Sequence, residues 1–179
     1  MSDLDRLVPY MPDIRLRLHL ERLSPDEAYI TSVRITDRDM LGSLLSAYRH
    51  TRRHVETRLS NPFSRPMTVA DIADRLDAFT PANRAAFLAY VDEIVQTAAE
   101  PEWELPAYSL GNGRLFLLDG NHRAVATYLS GVPVNLKLLV LHAPVDRRIL
   151  VALKYWDGGL RRFWRRLQRS RRSATVPVS

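Results

Sequence analysis

The 179-residue chain contains no cysteine. This absence excludes a disulfide scaffold, a zinc site with thiolate ligands, a thiol nucleophile and a haem-attachment motif. Any bound metal must therefore use histidine, aspartate or glutamate as its protein ligands. Apolar runs are short as well, and none approaches the ~20 residues that a helix needs to cross a bilayer.

Positive charge is absent from the first residues, where a secretory signal would need it. The chain begins Met1-Ser-Asp-Leu-Asp, and no apolar stretch follows these two acids. We therefore expect a cytoplasmic protein. The length and the content of 46% hydrophobic and 26% charged residues fit one folded domain. We place this domain at residues 1–169, followed by a flexible basic tail over residues 170–179.

The net charge of +6 comes from one end of the chain. Residues 145–179 contain ten Lys and Arg against two acids, so the remainder is slightly acidic. Basicity confined to one segment says little about the chemistry of the rest. Within that segment, residues 160–167 alternate apolar residues with arginine pairs, which predicts a C-terminal amphipathic helix. Such a helix either packs on the core or binds an anionic partner such as lipid or nucleic acid.

Periodicity predicts the elements of the first half. Residues 14–22 alternate apolar and charged positions, as a half-buried strand does, and residues 29–35 predict a second short strand. Thr36 with Asp39 resembles a capping box, so we expect a long helix over residues 37–59. Its apolar positions lie close to helical spacing: Leu41, Leu44, Leu45, Tyr48, Val55 and Leu59.

Capping signals predict a helical insertion over about residues 60–100. Thr68 with Asp71 marks one helix start, and Thr80-Pro81 marks another. We expect helices near residues 69–78 and 81–99.

The following segment predicts a strand, turn, helix, strand order. Asn112-Gly113 between apolar runs indicates a β-hairpin that carries the chain to residue 119. Gly131 is a suitable residue to end a helix over about residues 121–130, and residues 134–142 predict a buried strand.

The junction Asp119-Gly-Asn-His-Arg123 carries the most chemistry, because it places a polar cluster between a buried strand and a helix. Unpaired amides at a helix N terminus bind phosphate, and Gly120 lets a ligand approach the backbone. His122 and Arg123 add donors at the same mouth. We expect Gly120, Asn121, His122 and Arg123 to bind phosphate, with Asp119 holding Mg²⁺ or orienting His122.

This segment resembles the Asp-Gly-x-His-Arg signature of the ParB/sulfiredoxin-like superfamily, over about residues 105–143. The resemblance implies an α/β (α+β) fold with a small mixed sheet, here elaborated by the helical insertion and the C-terminal helix. Sulfiredoxin needs a cysteine where this chain has Asn121, so sulfinate reduction is excluded. The branch that phosphorylates free serine carries the same signature and is the closest match.

That resemblance implies a Mg²⁺-dependent kinase that uses ATP or ADP, or else CTP, and phosphorylates a small, serine-like hydroxyl metabolite. The branch uses an early glutamate as its catalytic base, and Leu23-Ser-Pro-Asp-Glu27 resembles that context. Glu27, Asp119 and His122 are then the expected catalytic residues.

Two alternatives remain open. One is a non-catalytic DNA-binding protein that uses the nucleotide as a switch and its arginine-rich C-terminal helix as a phosphate contact. The other is a ParB-like nuclease, whose metal would need more carboxylates than the sequence supplies near Asp119. His50 and His54 are four residues apart on the expected long helix, where a basic surface is favoured over a metal site.

Overall fold

A mixed seven-stranded sheet forms the centre of the fold. The computed structural model describes residues 3–14, 17–24, 26–51, 56–57, 64–97 and 103–155. The strands run in the order β1-β7-β5-β6-β2-β3, and β4 also pairs with β2. They are β1 (Tyr29–Ile35), β2 (Leu45–His50), β3 (Glu56–Thr57), β4 (Arg65–Thr68), β5 (Trp103–Ser109), β6 (Leu115–Leu117) and β7 (Leu136–His142).

Helices and 3₁₀ helices connect and cover these strands. The α-helices are α1 (Met11–Ile14), α2 (Arg38–Ser43), α3 (Val69–Ala73), α4 (Pro81–Thr97) and α5 (Asn121–Ser130). The 3₁₀ helices are Asp3–Tyr10, Leu20–Arg22, Leu76–Ala78 and Val151–Tyr155. The predicted mixed α/β class is therefore confirmed. Within the described ranges, no helix is both long and apolar enough to span a membrane.

Both faces of the sheet are buried. In β7, Leu138 and Val140 join a core with the helices of one face, while Leu139 and Leu141 join a second core on the other face. The second face is covered by the N-terminal segment and by residues 149–153. Strands buried on both faces need nearly continuous apolar sequence, which explains the run Leu138-Leu-Val-Leu141.

The hairpin and the helix after it follow the sequence prediction. β5 and β6 pair antiparallel around the turn at Gly111–Gly113. α5 covers residues 121–130 and ends at Gly131, whose φ of 73° is the left-handed conformation that suits glycine. The predicted capping box at Thr68 is also confirmed, since Asp71 N–H donates to the Thr68 hydroxyl at 3.0 Å and the Asp71 carboxylate accepts from Thr68 N–H at 3.0 Å.

The helical insertion is largely as predicted. α4 ends within two residues of the expected helix over 81–99, whereas the helix expected over 69–78 divides into α3 and a 3₁₀ turn. The insertion also contributes β4, which pairs with β2. The sequence did not predict this strand, because Pro62 and Pro66 indicate a loop.

Two predicted elements of the first half are wrong. The strand expected over residues 14–22 is replaced by the end of α1, a single bridge between Leu18 and Leu150, and a 3₁₀ turn. Its alternation instead places Ile14 and Leu18 in the core of the second face. Residues 15 and 16 lie outside the described residues.

The long helix expected over residues 37–59 is also wrong. Asp37, not Thr36, caps a short α2 by accepting from Asp39 N–H and Met40 N–H. The chain then becomes β2, because Leu45 pairs with β6 on a parallel register and with β4 on an antiparallel one. Long-range pairing has overridden a local helical spacing.

The predicted C-terminal amphipathic helix and the basic tail lie outside the described residues. Within the described part, Val151–Tyr155 forms a 3₁₀ helix, and Ile149 and Leu153 pack in the core of the second face.

Candidate phosphate-binding site

A cavity of about 390 Å³ opens where the chain leaves β6 and enters α5. The five residues of the predicted motif all line it. Five residues from elsewhere in the chain complete the wall. The lining residues are Asp13, Arg17, Ala47, Tyr48, Tyr90, Asp119, Gly120, Asn121, His122 and Arg123.

Gly120 sets the turn between β6 and α5. Its φ is 74°, a conformation that side-chain-bearing residues adopt at a cost. A Cβ at this position would lie 2.4 Å from Leu105 Cδ2, in the core beneath the loop. The sequence argument expected Gly120 to make room for a ligand. The structure gives a different reason for glycine, which is its packing against Leu105.

The first turn of α5 is free to bind an anion. Its N-cap residue is Gly120, which has no side chain, and no side-chain hydrogen bond caps the helix. The amides of the first helical turn have no partner within the helix, and the helix dipole adds partial positive charge there. Phosphate binding at such a terminus uses these N–H groups directly.

Asn121 joins the start of α5 to β2. Its Oδ1 accepts a hydrogen bond from the Ala47 backbone N–H at 3.1 Å, and the residue is 6% exposed. Since that N–H can only donate, the side-chain oxygen is fixed in position. Asn121 therefore has a positioning role, and it can offer a ligand only its amide nitrogen and its backbone N–H.

His122 lies in an aromatic surrounding. Its Nε2 is 2.9 Å from the Tyr48 hydroxyl, and its ring centroid lies 4.8 Å from that of Phe87 and 6.1 Å from that of Tyr90. Burial lowers the pKa of His122 below its ordinary value, and the nearby Asp119 carboxylate opposes that shift without reversing it. The imidazole is therefore neutral near pH 7.

Two arginines supply the positive charge of the cavity. Arg123 follows His122 on α5, and its guanidinium carbon lies 5.9 Å from the centroid of the Trp103 ring. Arg17 comes from the segment after α1, and its Nη1 donates to the Leu118 carbonyl at 2.7 Å. That bond holds Arg17 beside the residue that precedes Asp119, and both arginines line the same cavity.

Two carboxylates face these arginines. Asp119 lies two residues after the end of β6, and Asp13 comes from α1. No group of three or more histidine or acidic side chains is placed to hold a metal anywhere in the described ranges. Mg²⁺ does not need such a group, since in nucleotide sites it binds one or two carboxylates together with substrate phosphates and water. The donor set at this cavity fits that form of Mg²⁺ binding.

Glu27 lies away from the cavity. It is exposed in a turn before β1, where its N–H donates to the Ser24 carbonyl at 3.0 Å. β1 enters the sheet beside His142, at the end of β7, whereas Leu118 is paired at Pro106 and leads toward the other end of the sheet. The structure therefore separates Glu27 from Asp119 and His122, contrary to the expectation that the three act together.

Sequence reasoning missed Asp13, Arg17, Tyr48 and Tyr90. Asp13 was assigned to no element, Arg17 to the strand expected over residues 14–22, and Tyr48 to the apolar face of the helix expected over residues 37–59. Nothing in the local pattern marks them, because each reaches the cavity only through the packing of distant segments.

Arg49, which falls within the helix expected over residues 37–59, is instead buried in β2. It is 2% exposed, its Nε donates to Ser64 Oγ at 2.6 Å, and burial lowers its pKa to about 10. It lines a second cavity of about 190 Å³, which shares Arg17 and Ala47 with the first. His50 lies on β2, and His54 lies outside the described residues.

Comparison of the chain with protein-family models, with curated proteins and with solved structures finds no significant match. The resemblance of residues 105–143 to the ParB/sulfiredoxin-like superfamily therefore stays a prediction.

Proposed function

We propose that the chain binds the phosphates of a nucleotide at the start of α5 and transfers a phosphoryl group to a small hydroxyl-bearing metabolite. The observation that carries this proposal is the uncapped first turn of α5, which opens into a cavity containing two arginines and two carboxylates. The Asp-Gly-x-His-Arg resemblance points to the same activity.

The charges of the cavity favour a nucleotide accompanied by Mg²⁺. Arg17 and Arg123 are balanced by Asp13 and Asp119, and His122 is neutral. A polyphosphate alone would be repelled by the two carboxylates, whereas a divalent cation between phosphate and carboxylate removes that repulsion. We assign this role to Asp119, because it adjoins the helix terminus that would hold the phosphates.

Phosphoryl transfer also needs a base for the acceptor hydroxyl. Asp13 is the second carboxylate of the cavity and takes the place that the sequence argument gave to Glu27. In the proposed step, the hydroxyl proton passes to Asp13 and the hydroxyl oxygen forms a bond to the terminal phosphorus. The bond from that phosphorus to the bridging oxygen breaks, and the shortened nucleotide leaves. Mg²⁺, when bound, neutralises charge on the phosphate oxygens.

The smaller cavity suits the acceptor. It adjoins the larger one through Arg17 and Ala47, and its volume of about 190 Å³ matches a small metabolite.

Calorimetric titration tests the binding step. ATP, ADP and CTP are each titrated into the protein with and without Mg²⁺. We expect one nucleotide to bind with Mg²⁺ only. Arg123→Met should abolish this binding, whereas Arg84→Met, at an exposed position on α4 away from the cavity, should not. Asp119→Asn should remove the Mg²⁺ requirement or the binding, and Asp92→Asn serves as its exposed control.

A transfer assay tests the catalytic step. Hydroxyl metabolites are screened with the nucleotide that binds, and product is followed by ³¹P NMR. Asp13→Asn should lower turnover by ~10²-fold or more while nucleotide affinity is kept, as expected for loss of a general base. Folded protein that binds no nucleotide would remove the proposal, and binding without any transfer would leave a nucleotide-binding switch instead.

A further inference from the structure

Tyr48 and His122 form a hydrogen-bonded pair across the cavity wall. The Tyr48 hydroxyl lies 2.9 Å from His122 Nε2, and both residues line the cavity. The pair joins β2 to the first turn of α5. It therefore joins a residue of the motif to one that the motif does not contain.

The position of Tyr48 does not depend on His122. The adjoining residues, Ala47 and Asn121, form their own hydrogen bond between β2 and α5 at 3.1 Å. The Tyr48 ring also packs against Phe79 and Phe87, with centroids 5.4 and 5.3 Å away. Backbone and ring contacts thus fix the hydroxyl before the imidazole is considered.

The chemistry of the two groups gives the bond a direction. A neutral imidazole has one nitrogen that donates and one that accepts. A phenol is a weak acid and an imidazole nitrogen is a base, so the favoured bond runs from the phenol O–H to the nitrogen lone pair. Nε2 then accepts, and the ring proton is on Nδ1.

We propose that Tyr48 is a positioning residue that holds His122 in the Nδ1–H tautomer, so that His122 serves the site as a neutral N–H donor. The tautomer rests on the hydrogen-bond geometry and on the acid–base chemistry of the two groups, whereas the use of Nδ1–H as a donor to a phosphoryl oxygen rests on the proposed function. With Nε2 engaged, Nδ1 is the only ring nitrogen available to a ligand. His122 is then neither a proton acceptor nor a cation in the resting site.

The surrounding groups agree with a neutral ring. Among the described residues, Tyr48 from β2, Tyr90 from α4 and the Asp119 carboxylate from the loop before α5 interact with the ring. Burial lowers the pKa of His122 more than Asp119 raises it.

Nuclear magnetic resonance measures the tautomer directly. Two-dimensional ¹H–¹⁵N multiple-bond spectra of ¹⁵N-labelled protein at pH 7.5 distinguish a protonated ring nitrogen from an unprotonated one, and a His122 substitution assigns the signal among the five histidines. In the parent protein we expect a proton on Nδ1 and none on Nε2. Tyr48→Phe keeps the ring packing and removes the hydroxyl, so it should give a large Nε2–H population. Tyr90→Phe, which keeps its ring contact with His122, should leave the tautomer unchanged.

Each outcome decides the proposal. A proton on Nε2 in the parent protein would overturn it, because Tyr48 would then be the acceptor, and this result needs no variant to fold. An unchanged tautomer in folded Tyr48→Phe would overturn it as well. Adding the Mg²⁺ complex of the nucleotide tests the proposed function separately. A shift of the Nδ1–H resonance supports phosphate contact, whereas no shift with the tautomer intact would refute that contact alone.

Discussion

Substitution of Gly120 by alanine tests the turn that opens the site. Two costs are expected. The left-handed backbone conformation, with φ of 74°, costs a residue with a Cβ about 1–2 kcal/mol. The Cβ would also lie 2.4 Å from Leu105 Cδ2, and overpacking of a core costs about 1–3 kcal/mol. Leu105 is fully buried, so its side chain cannot move away without displacing its neighbours.

Gly131→Ala is the matched control for the first of these costs. Its φ is 73°, nearly that of Gly120, and a Cβ there would meet nothing within 4 Å. It should lose only the conformational cost of about 1–2 kcal/mol, partly offset by the stiffer unfolded chain. The difference between the two variants therefore measures the contact with Leu105, and we expect it to be about 1–3 kcal/mol.

Urea denaturation followed by circular dichroism gives the free energy of unfolding of both variants. The reasoning is refuted if Gly120→Ala is no less stable than Gly131→Ala. A double variant that adds Leu105→Ala supplies a further check, because removing the Leu105 side chain should recover part of the loss at Gly120. Without that coupling, the cost of the alanine would come from the backbone alone.

Three further predictions concern single residues. Because burial lowers the pKa of His122, the unfolded chain binds the proton more readily than the folded one, so the free energy of unfolding should fall as the pH drops below about 6.5. Urea denaturation midpoints measured from pH 7.5 to 5 should depend less on pH in His122→Gln. Thr68→Ala removes the hydroxyl that caps α3 and should lower the free energy of unfolding by about 1 kcal/mol, measured by urea denaturation. Glu27→Gln should leave nucleotide affinity and transfer rate unchanged, since Glu27 lies at the other end of the sheet; a large loss of turnover in the ³¹P assay would contradict the placement of the site.

The sequence predicted the motif, the hairpin before it, and the helix and strand after it, because the signals of these elements are local. Asn112-Gly113 and Gly131 need specific backbone conformations, and each was found where the turn and the helix end require it. The apolar run of β7 likewise shows a strand buried on both faces. The five motif residues consequently share one cavity, as adjoining residues at a strand-to-helix junction must.

The first half of the chain was mispredicted for a common reason. Leu44 and Leu45 fit a helical stripe, yet Leu44 caps the end of α2 and Leu45 begins β2, and the two side chains pack in different cores. Only the distant partners β4 and β6 make that arrangement favourable. The role of Arg17 was missed for the same reason, because its hydrogen-bond partner is the Leu118 carbonyl, about a hundred residues further along the chain.

The helical insertion determines the chemistry of the site and does more than enlarge the fold. α4 places Phe87 and Tyr90 against His122, and burial is the leading cause of the lowered pKa of His122. Tyr90 also contacts Trp103, whose ring lies beneath Arg123. The insertion thus adds to the aromatic surrounding of the motif histidine. It follows that removing the aromatic contacts of α4 should raise the pKa of His122 toward its ordinary value without altering any residue of the motif, which a pH titration of the His122 ring signals by NMR would measure.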